Sequence, residues 1–217
     1  MPFAVGVAIS PMPIVAMVLM LITPRAKPNG FSFLAGWVVG VAALGAVVLA
    51  VAGPSNPTDN GMPATWTSWL KLVLGLLLVA LAVKEWRARP AAGDDIAMPK
   101  WMSALDDFSP VKASGMAVVL AAVNPKNLLL IVGGATVVAQ TQISGVEQAV
   151  AWAVFTVIAT VGVAFPMGIY LFMGDRAAGT LDGLKNWMAR NNTAVMAVLL
   201  VIIGVKLIGD AIAGFSS

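Results

Sequence analysis

Asn124-Pro125-Lys126-Asn127 interrupts an apolar run that extends from Gly115 to Val138. As a single helix this run is long enough to cross a bilayer, which needs about 20 apolar residues. Pro125 lacks a backbone N–H, and its ring collides with the carbonyl of Ala121, so we expect the helix to bend or open there. Backbone groups freed within lipid find no water, and they must face protein or a wet cavity. The stretch therefore predicts a membrane helix that is broken near its middle.

Lys126 places a charge inside this segment, which costs at least about 2.5 kcal/mol at the bilayer centre. Ionisable residues at such depth usually mark functional sites. We therefore interpret Asn124, Pro125, Lys126 and Asn127 as part of a substrate-binding site. The alternative is a buried kink whose lysine pairs with another group or extends toward the lipid headgroups.

The composition predicts an all-α, polytopic membrane protein. Hydrophobic residues make up 59% of the 217, mean hydropathy is +0.91, and charged residues are 11%. The chain has no cysteine and no histidine, which excludes disulfides, Cys or His metal ligation and Ser-His-Asp or Cys-His catalysis. We expect no cofactor, no metal and no enzymatic activity. The apolar stretch at the N-terminus has no preceding Lys or Arg, and we interpret it as a retained first span.

Six apolar segments predict six transmembrane helices. Interfacial tryptophans flank the third, which contains Lys71 near its start. The six segments are Phe3–Ile22, Phe33–Val51, Trp69–Val83, Met116–Val138, Ala149–Phe172 and Ala194–Ile212.

Basic residues are confined to alternate connections, which predicts the orientation. The connections at Gly53–Thr65 and Ala139–Ser144 contain no Lys or Arg. The positive-inside rule then places both termini outside and the three basic connections in the cytoplasm of a plasma-membrane protein. The basic residues are Arg25 and Lys27, then Lys84, Arg87, Arg89, Lys100 and Lys112, then Arg176, Lys185 and Arg190.

An internal repeat relates the two halves of the chain. Ser10-Pro11 in span 1 aligns with Asn124-Pro125 in span 4, and Trp37 in span 2 aligns with Trp152 in span 5. Because each half has an odd number of spans, the halves would be inverted, as in many secondary transporters. We predict 3+3 inverted repeats with helices 1 and 4 broken. The expected divisions are 1–86 for the first repeat, 87–112 for a cytoplasmic linker and 113–217 for the second repeat.

Pro11 and Pro13 flank Met12 in span 1 and predict the first of the two breaks. We expect the carbonyls of Val7 and Ile9 to lose their helical partners and Ser10 to satisfy one of them locally. A packing kink is the alternative, and the match to Asn124-Pro125 favours function. We therefore assign Ser10, Pro11, Met12 and Pro13 to the substrate site.

Three further residues are candidates for coupling or gating, namely Asp106, Lys206 and Asp210. Trp101, Leu105 and Phe108 have helical spacing and predict a short interfacial helix, with Asp106 on its polar side. Lys206 and Asp210 are four residues apart in span 6 and predict an ion pair on one helix face. The alternative to the interfacial helix is a solvated loop, and the alternative for Lys206 and Asp210 is an ion pair with a purely structural role.

The chain resembles the actinobacterial Sap/GAP family, the sulfolipid- and glycopeptidolipid-addressing proteins of the LysE-type exporter superfamily. The resemblance rests on Ser10-Pro11-Met12-Pro13-Ile14, Leu21–Lys27 and Gly36-Trp37. It also rests on Pro99-Lys100-Trp101-Met102, Leu105-Asp106, Phe108, Pro110, Ala113 and Asn124–Leu130. It implies that Pro11, Pro13, Asn124, Pro125 and Lys126 occupy the family's paired broken-helix motif. Span 1 reads Ser-Pro-Met-Pro, whereas the amino-acid exporters of the wider superfamily are expected to have a sequence similar to Pro-Gly-Pro at this place.

The resemblance implies a secondary transporter or flippase that assists export of an amphipathic cell-envelope glycolipid by alternating access. Methionines near the first break would suit an apolar, adaptable ligand. Two alternatives stay open: a small-solute, amino-acid-like exporter, and a non-transporting accessory subunit of a larger lipid exporter. The expected partners are membrane lipids, the lipid substrate and such an exporter. Self-association stays open, and we expect no nucleic-acid partner.

Overall fold

The computed structural model describes residues 1–52, 65–88, 108–141 and 143–216. Within these ranges the chain forms helices and no strand. The α-helices are α1 (Pro2–Ala8), α2 (Pro11–Ile22), α3 (Ala26–Ala52), α4 (Thr65–Arg87), α5 (Pro110–Ala122), α6 (Pro125–Ala139), α7 (Gly145–Phe172) and α8 (Ala177–Ser216). A 3-10 turn at Gly174–Arg176 precedes α8.

Four stretches of the described chain are long and apolar enough to cross a membrane. They are Pro2–Ile22, Ala26–Val51, Gly145–Phe172 and Thr193–Phe215. Helices α5 and α6 make a fifth candidate if they are counted as one span bent by 65°.

Helix α4 coincides with the third predicted span but is not among these candidates. It has Lys71 near its start and Lys84 and Glu85 near its end, and charged residues lower the hydropathy of any window that includes them. The chain is therefore an all-helical protein compatible with several membrane crossings. Six crossings stay a prediction.

The helices pack in pairs that join the first half of the chain to the second. Helix α4 lies along α8, α3 lies against α5, α6 and α7, and α1 and α2 both contact α7. Leu78 of α4 and Leu200 of α8 are both fully buried. The core therefore consists mainly of contacts between segments that are distant in sequence.

Two tryptophans hold α3 and α7 together reciprocally. The indole N–H of Trp37 on α3 donates to the carbonyl of Ala159 on α7 at 3.3 Å. The indole N–H of Trp152 on α7 donates to the carbonyl of Ala42 on α3 at 3.2 Å. Buried indoles usually require such a partner. Gly45 lies directly under the Trp152 ring, since an added Cβ would come within 1.7 Å of it.

A buried asparagine ties the turn after α2 to the segment that leads into α5. The side-chain amide of Asn29, at the start of α3, donates to the carbonyl of Phe108 at 2.9 Å. Asn29 is fully buried. Phe108 is the one residue of the expected interfacial helix that the structure describes; Trp101, Leu105 and Asp106 lie outside the described residues.

Candidate functional site

The first break separates α1 from α2 at Ile9 and Ser10. A new helix begins at Pro11, so Pro11 and Pro13 lie in its first turn, where backbone N–H groups have no intrahelical partner. Neither proline therefore removes a helical hydrogen bond. The carbonyl of Val7 does find a local partner, as expected. That partner is the backbone N–H of Ser10 at 3.1 Å, whereas the Ser10 side chain makes no capping hydrogen bond.

The second break separates α5 from α6 at Val123 and Asn124 and bends the chain by 65°. Pro125 occupies the first position of α6. The carboxamide oxygen of Asn124 accepts a hydrogen bond from the backbone N–H of Lys126 at 3.1 Å, which caps the new helix. The interruption predicted at Pro125 is thus a complete end and restart of the helix.

The backbone has nearly the same conformation at both breaks. Ser10 has φ −63° and ψ 114°, and Asn124 has φ −63° and ψ 116°. In both cases a proline follows and opens the next helix. The two motifs that the sequence aligned are therefore locally equivalent.

The two breaks meet in space. The amide nitrogen of Asn124 lies 3.6 Å from the sulfur of Met12, although the two residues are 112 positions apart. Met12 is 43% exposed and Val123 is 65% exposed, whereas Ser10, Pro11 and Pro13 are buried. The junction thus presents one amide, one thioether and apolar side chains on an open face.

The side chain of Asn127 supplies a hydrogen-bond donor to the backbone at the second break. Its amide nitrogen donates to the carbonyl of Leu120 at 2.9 Å, one of the last carbonyls of α5. Asn127 is fully buried, and its side-chain oxygen has no hydrogen-bond partner in the described structure. The side chain therefore acts mainly as a donor to backbone that the break exposes.

Lys126 forms an ion pair with Glu85, which the sequence reasoning missed. The lysine ammonium lies 2.8 Å from the carboxylate of Glu85, and their side chains are 18% and 15% exposed. Glu85 lies in the last turn of α4, between Lys84 and Arg87. Pairing across 41 positions depends on how α4 packs, and no short-range pattern reports it.

The predicted pair of Lys206 and Asp210 is present on α8, with 2.6 Å between the ammonium and the carboxylate. The two side chains are 52% and 38% exposed, so the pair lies on the outer surface of the helix bundle. Asp106, the third coupling candidate, lies outside the described residues. The structure thus brings Met12 into contact with Asn124, and Lys126 into contact with Glu85. Lys206 and Asp210 pair with each other on α8.

Among the described residues, no cluster of three or more acidic side chains could hold a metal ion. The chemistry that the junction offers is one ammonium, the carboxamide of Asn124, one carboxylate and a thioether. These groups can hold a polar or anionic headgroup beside apolar chains.

Together these features define an all-helical protein, compatible with several membrane crossings, in which two proline-broken helices touch. The chain belongs to the family described as Sap, sulfolipid-1-addressing protein, whose family model matches residues 1–213. The match confirms the family that the sequence motifs indicated. No curated protein and no solved structure matches the chain.

Proposed function

We propose that this protein is a secondary transporter or flippase that assists the export of an amphipathic, envelope-type lipid across the plasma membrane. The family name, sulfolipid-1-addressing protein, supports a lipid substrate. The observation that carries the mechanism is the contact between Asn124 and Met12, which brings two interrupted helices together. Interrupted helices that meet are where secondary transporters bind substrate and coupling ions.

An arrangement of two inverted three-helix repeats supports this mechanism. Exchanging α1–α2 with α5–α6, α3 with α7 and α4 with α8 reproduces the main helix pairs. The matching dihedral angles at Ser10 and Asn124 and the reciprocal hydrogen bonds of Trp37 and Trp152 agree with the same exchange. In such folds one repeat rocks against the other and exposes the site to each side in turn.

Each residue at the junction has a role in the proposed transport. Lys126 attracts the polar or anionic headgroup, and the amide of Asn124 donates a hydrogen bond to it. Met12 and Val123 contact the apolar part of the lipid, since a thioether side chain adapts to irregular apolar surfaces. The prolines keep the helices open at this depth without unpaired helical amides.

Both termini face outward in this proposal, and the basic connections face the cytoplasm. Transport needs no cofactor and no chemical conversion of the lipid. Lys206, Asp210 and Asp106 are the candidates for coupling transport to an ion gradient, and a larger lipid-export protein is the candidate partner.

The test replaces Lys126 by Ala in cells that lack the chromosomal copy, with surface lipid measured by mass spectrometry after a mild solvent wash. We expect at least a tenfold loss of exported lipid with an unchanged amount of protein in the membrane fraction, because one charged contact to a headgroup contributes about 1.5–3 kcal/mol. Lys112→Ala, an exposed lysine in the first turn of α5, is the matched control and should export normally.

Unchanged export by the Lys126→Ala protein would remove the junction as the transport site. Purified protein in vesicles with a fluorescent sulfated glycolipid then separates two roles. Movement of the lipid between leaflets supports a transporter. Failure of the wild-type protein to move it, together with co-purification of a large membrane partner, supports an accessory subunit.

A further inference from the structure

The ion pair of Lys126 and Glu85 joins two helices that otherwise touch little. Glu85 ends α4, and Lys126 begins α6. Helix α4 packs mainly along α8, and its contact with α6 is one of the smaller helix interfaces. Of the ion pairs between described residues, the other two lie within α8. This pair is therefore the charged connection between α4 and the second break.

Glu85 pairs with Lys126 even though two cations lie closer to it in sequence. Lys84 and Arg87 line a shallow groove of about 430 Å³ on α4, together with Ala80, Val83 and Ala88. On a helix with 3.6 residues per turn, Glu85 points away from the face that these residues share. Helix α4 thus presents cations on one face and a single carboxylate toward the break.

The ammonium of Lys126 is therefore already neutralised in this conformation. Each side chain is less than one-fifth exposed, so the pair is largely shielded from solvent and from screening ions. A shielded ion pair adds little net stability, because desolvation of the two charges offsets their attraction. The same shielding makes the pair selective, because only another anion can replace the Glu85 carboxylate without leaving the Lys126 ammonium unpaired.

We propose that Glu85 occupies the place on Lys126 that the anionic oxygens of a lipid headgroup, a sulfate or a phosphate, take during transport. This inference rests on the proposed function, since it names the headgroup charge and the residue that competes with it. Arrival of the headgroup releases Glu85 from Lys126. The release removes the charged connection between α4 and α6, which allows the end of α4 to move relative to the start of α6. Glu85 is thus a positioning and selectivity residue, and it leaves the site when the lipid binds.

The test measures lipid binding by native mass spectrometry on the purified, full-length protein in detergent. The two probes are 3-sulfogalactosylceramide and galactosylceramide, which differ only in the sulfate. We expect Glu85→Gln to bind the sulfated lipid about tenfold more tightly than wild type, within the usual range for coupling between two competing interactions. Binding of galactosylceramide should not change.

Lys84→Gln is the matched control, because Lys84 lies next to Glu85 on the same helix but faces the groove. It should leave both affinities unchanged. A third arm uses sodium sulfate. Equal tightening of free sulfate binding in Glu85→Gln would show that the site recognises a soluble anion, and it would overturn the headgroup assignment.

A structural role for the ion pair predicts the opposite result. In that case Glu85→Gln, with unchanged circular dichroism and elution volume, binds the sulfated lipid no more tightly than wild type, and the inference fails. If Glu85→Gln does not fold, the exchange Glu85→Lys with Lys126→Glu retains a pair. We expect that protein to fold and to lose at least tenfold in affinity for the sulfated lipid. Retained affinity in the folded exchange variant would also overturn the inference.

Export is measured separately on the same variants, so the two proposals can fail independently. If the wild-type protein exports lipid but Glu85→Gln binds the sulfated lipid no more tightly, the role of Glu85 is refuted and the transport function is retained. Tighter binding in Glu85→Gln with no lipid movement by the wild-type protein would retain the anion site and refute transport by this chain alone.

Discussion

The two breaks share a backbone conformation and differ in almost everything else. At the first, α1 and α2 continue each other as one 21-residue span, and the flanking Ser10 and Pro11 are buried. At the second, α5 and α6 diverge by 65°, and the break leaves Asn124 and Lys126 partly exposed while Asn127 is buried. The first break is packed within the protein. At the second, the side chains of Asn124 and Asn127 form hydrogen bonds with backbone groups that the break exposes.

This difference shows how one local motif can have two roles. An unpaired backbone group at membrane depth must be satisfied by something other than water. The first break uses its own backbone, since the Ser10 N–H donates to the carbonyl of Val7, and it packs closely, with the carbonyl of Ala8 against Gly162 of α7. The second uses carboxamides, which also leave donors and a cation available for a ligand. The second break is therefore where we expect ligand chemistry, and the first is where we expect the larger loss of stability on substitution.

The largest expected effect follows from adding a methyl group at the first break. In Gly162→Ala the new Cβ would lie 1.7 Å from the carbonyl oxygen of Ala8, and both atoms belong to packed helices. We expect a loss on the order of 3 kcal/mol in the free energy of unfolding, or failure to accumulate in the membrane. Unfolding in mixed dodecylsulfate micelles measures it. The control, Gly168→Ala on the same helix, has no atom within 4 Å of the new Cβ and should be as stable as wild type.

An intermediate effect is expected at Asn127 in the second break. Asn127→Ala leaves the partly buried carbonyl of Leu120 without its donor and removes a fully buried side chain. The expected loss is about 1–3 kcal/mol, the penalty for an unsatisfied buried acceptor. Asn191→Ala is the matched control, because Asn191 donates to a backbone carbonyl at the same 2.9 Å but is exposed on α8. Equal losses for both variants would show that burial of the break is unimportant.

The smallest effect compares the two capping residues directly. Asn124 caps α6 through its side chain, whereas Ser10 makes no side-chain cap on α2. Asn124→Ala should lose about 1 kcal/mol of stability, and Ser10→Ala should change stability by no more than about 0.5 kcal/mol. The same unfolding assay measures both. A larger loss at Ser10 than at Asn124 would contradict the division between a packed break and a capped break.

Much of the fold follows from sequence because its signals are local. Each of the six apolar segments lies within helices of the structure, and each proline motif coincides with a helix interruption. The pair of Lys206 and Asp210 also follows from spacing along one helix. The third span is the least obvious of the six in the sequence because Lys71 lies near its start.

The site was only half predictable. Sequence identified Asn124 and Lys126 from residue type, since polar groups are rare in apolar segments, and it identified Met12 from the prolines on either side of it. It did not identify Glu85, which contacts Lys126 only through the packing of α4 against α6. It also assigned satisfaction of the first break to the Ser10 side chain, whereas the Ser10 backbone N–H does this.

The sequence by itself therefore determined the helical class, the family and the places where two helices must stop and restart, because these depend on hydropathy and on proline chemistry within a few residues. Only the tertiary structure decided that Met12 touches Asn124, that Trp37 and Trp152 donate across α3 and α7, and that Lys126 is neutralised by Glu85. Those pairings depend on which faces of distant helices pack together. That choice is made by the whole core at once, and no local stretch of sequence contains it.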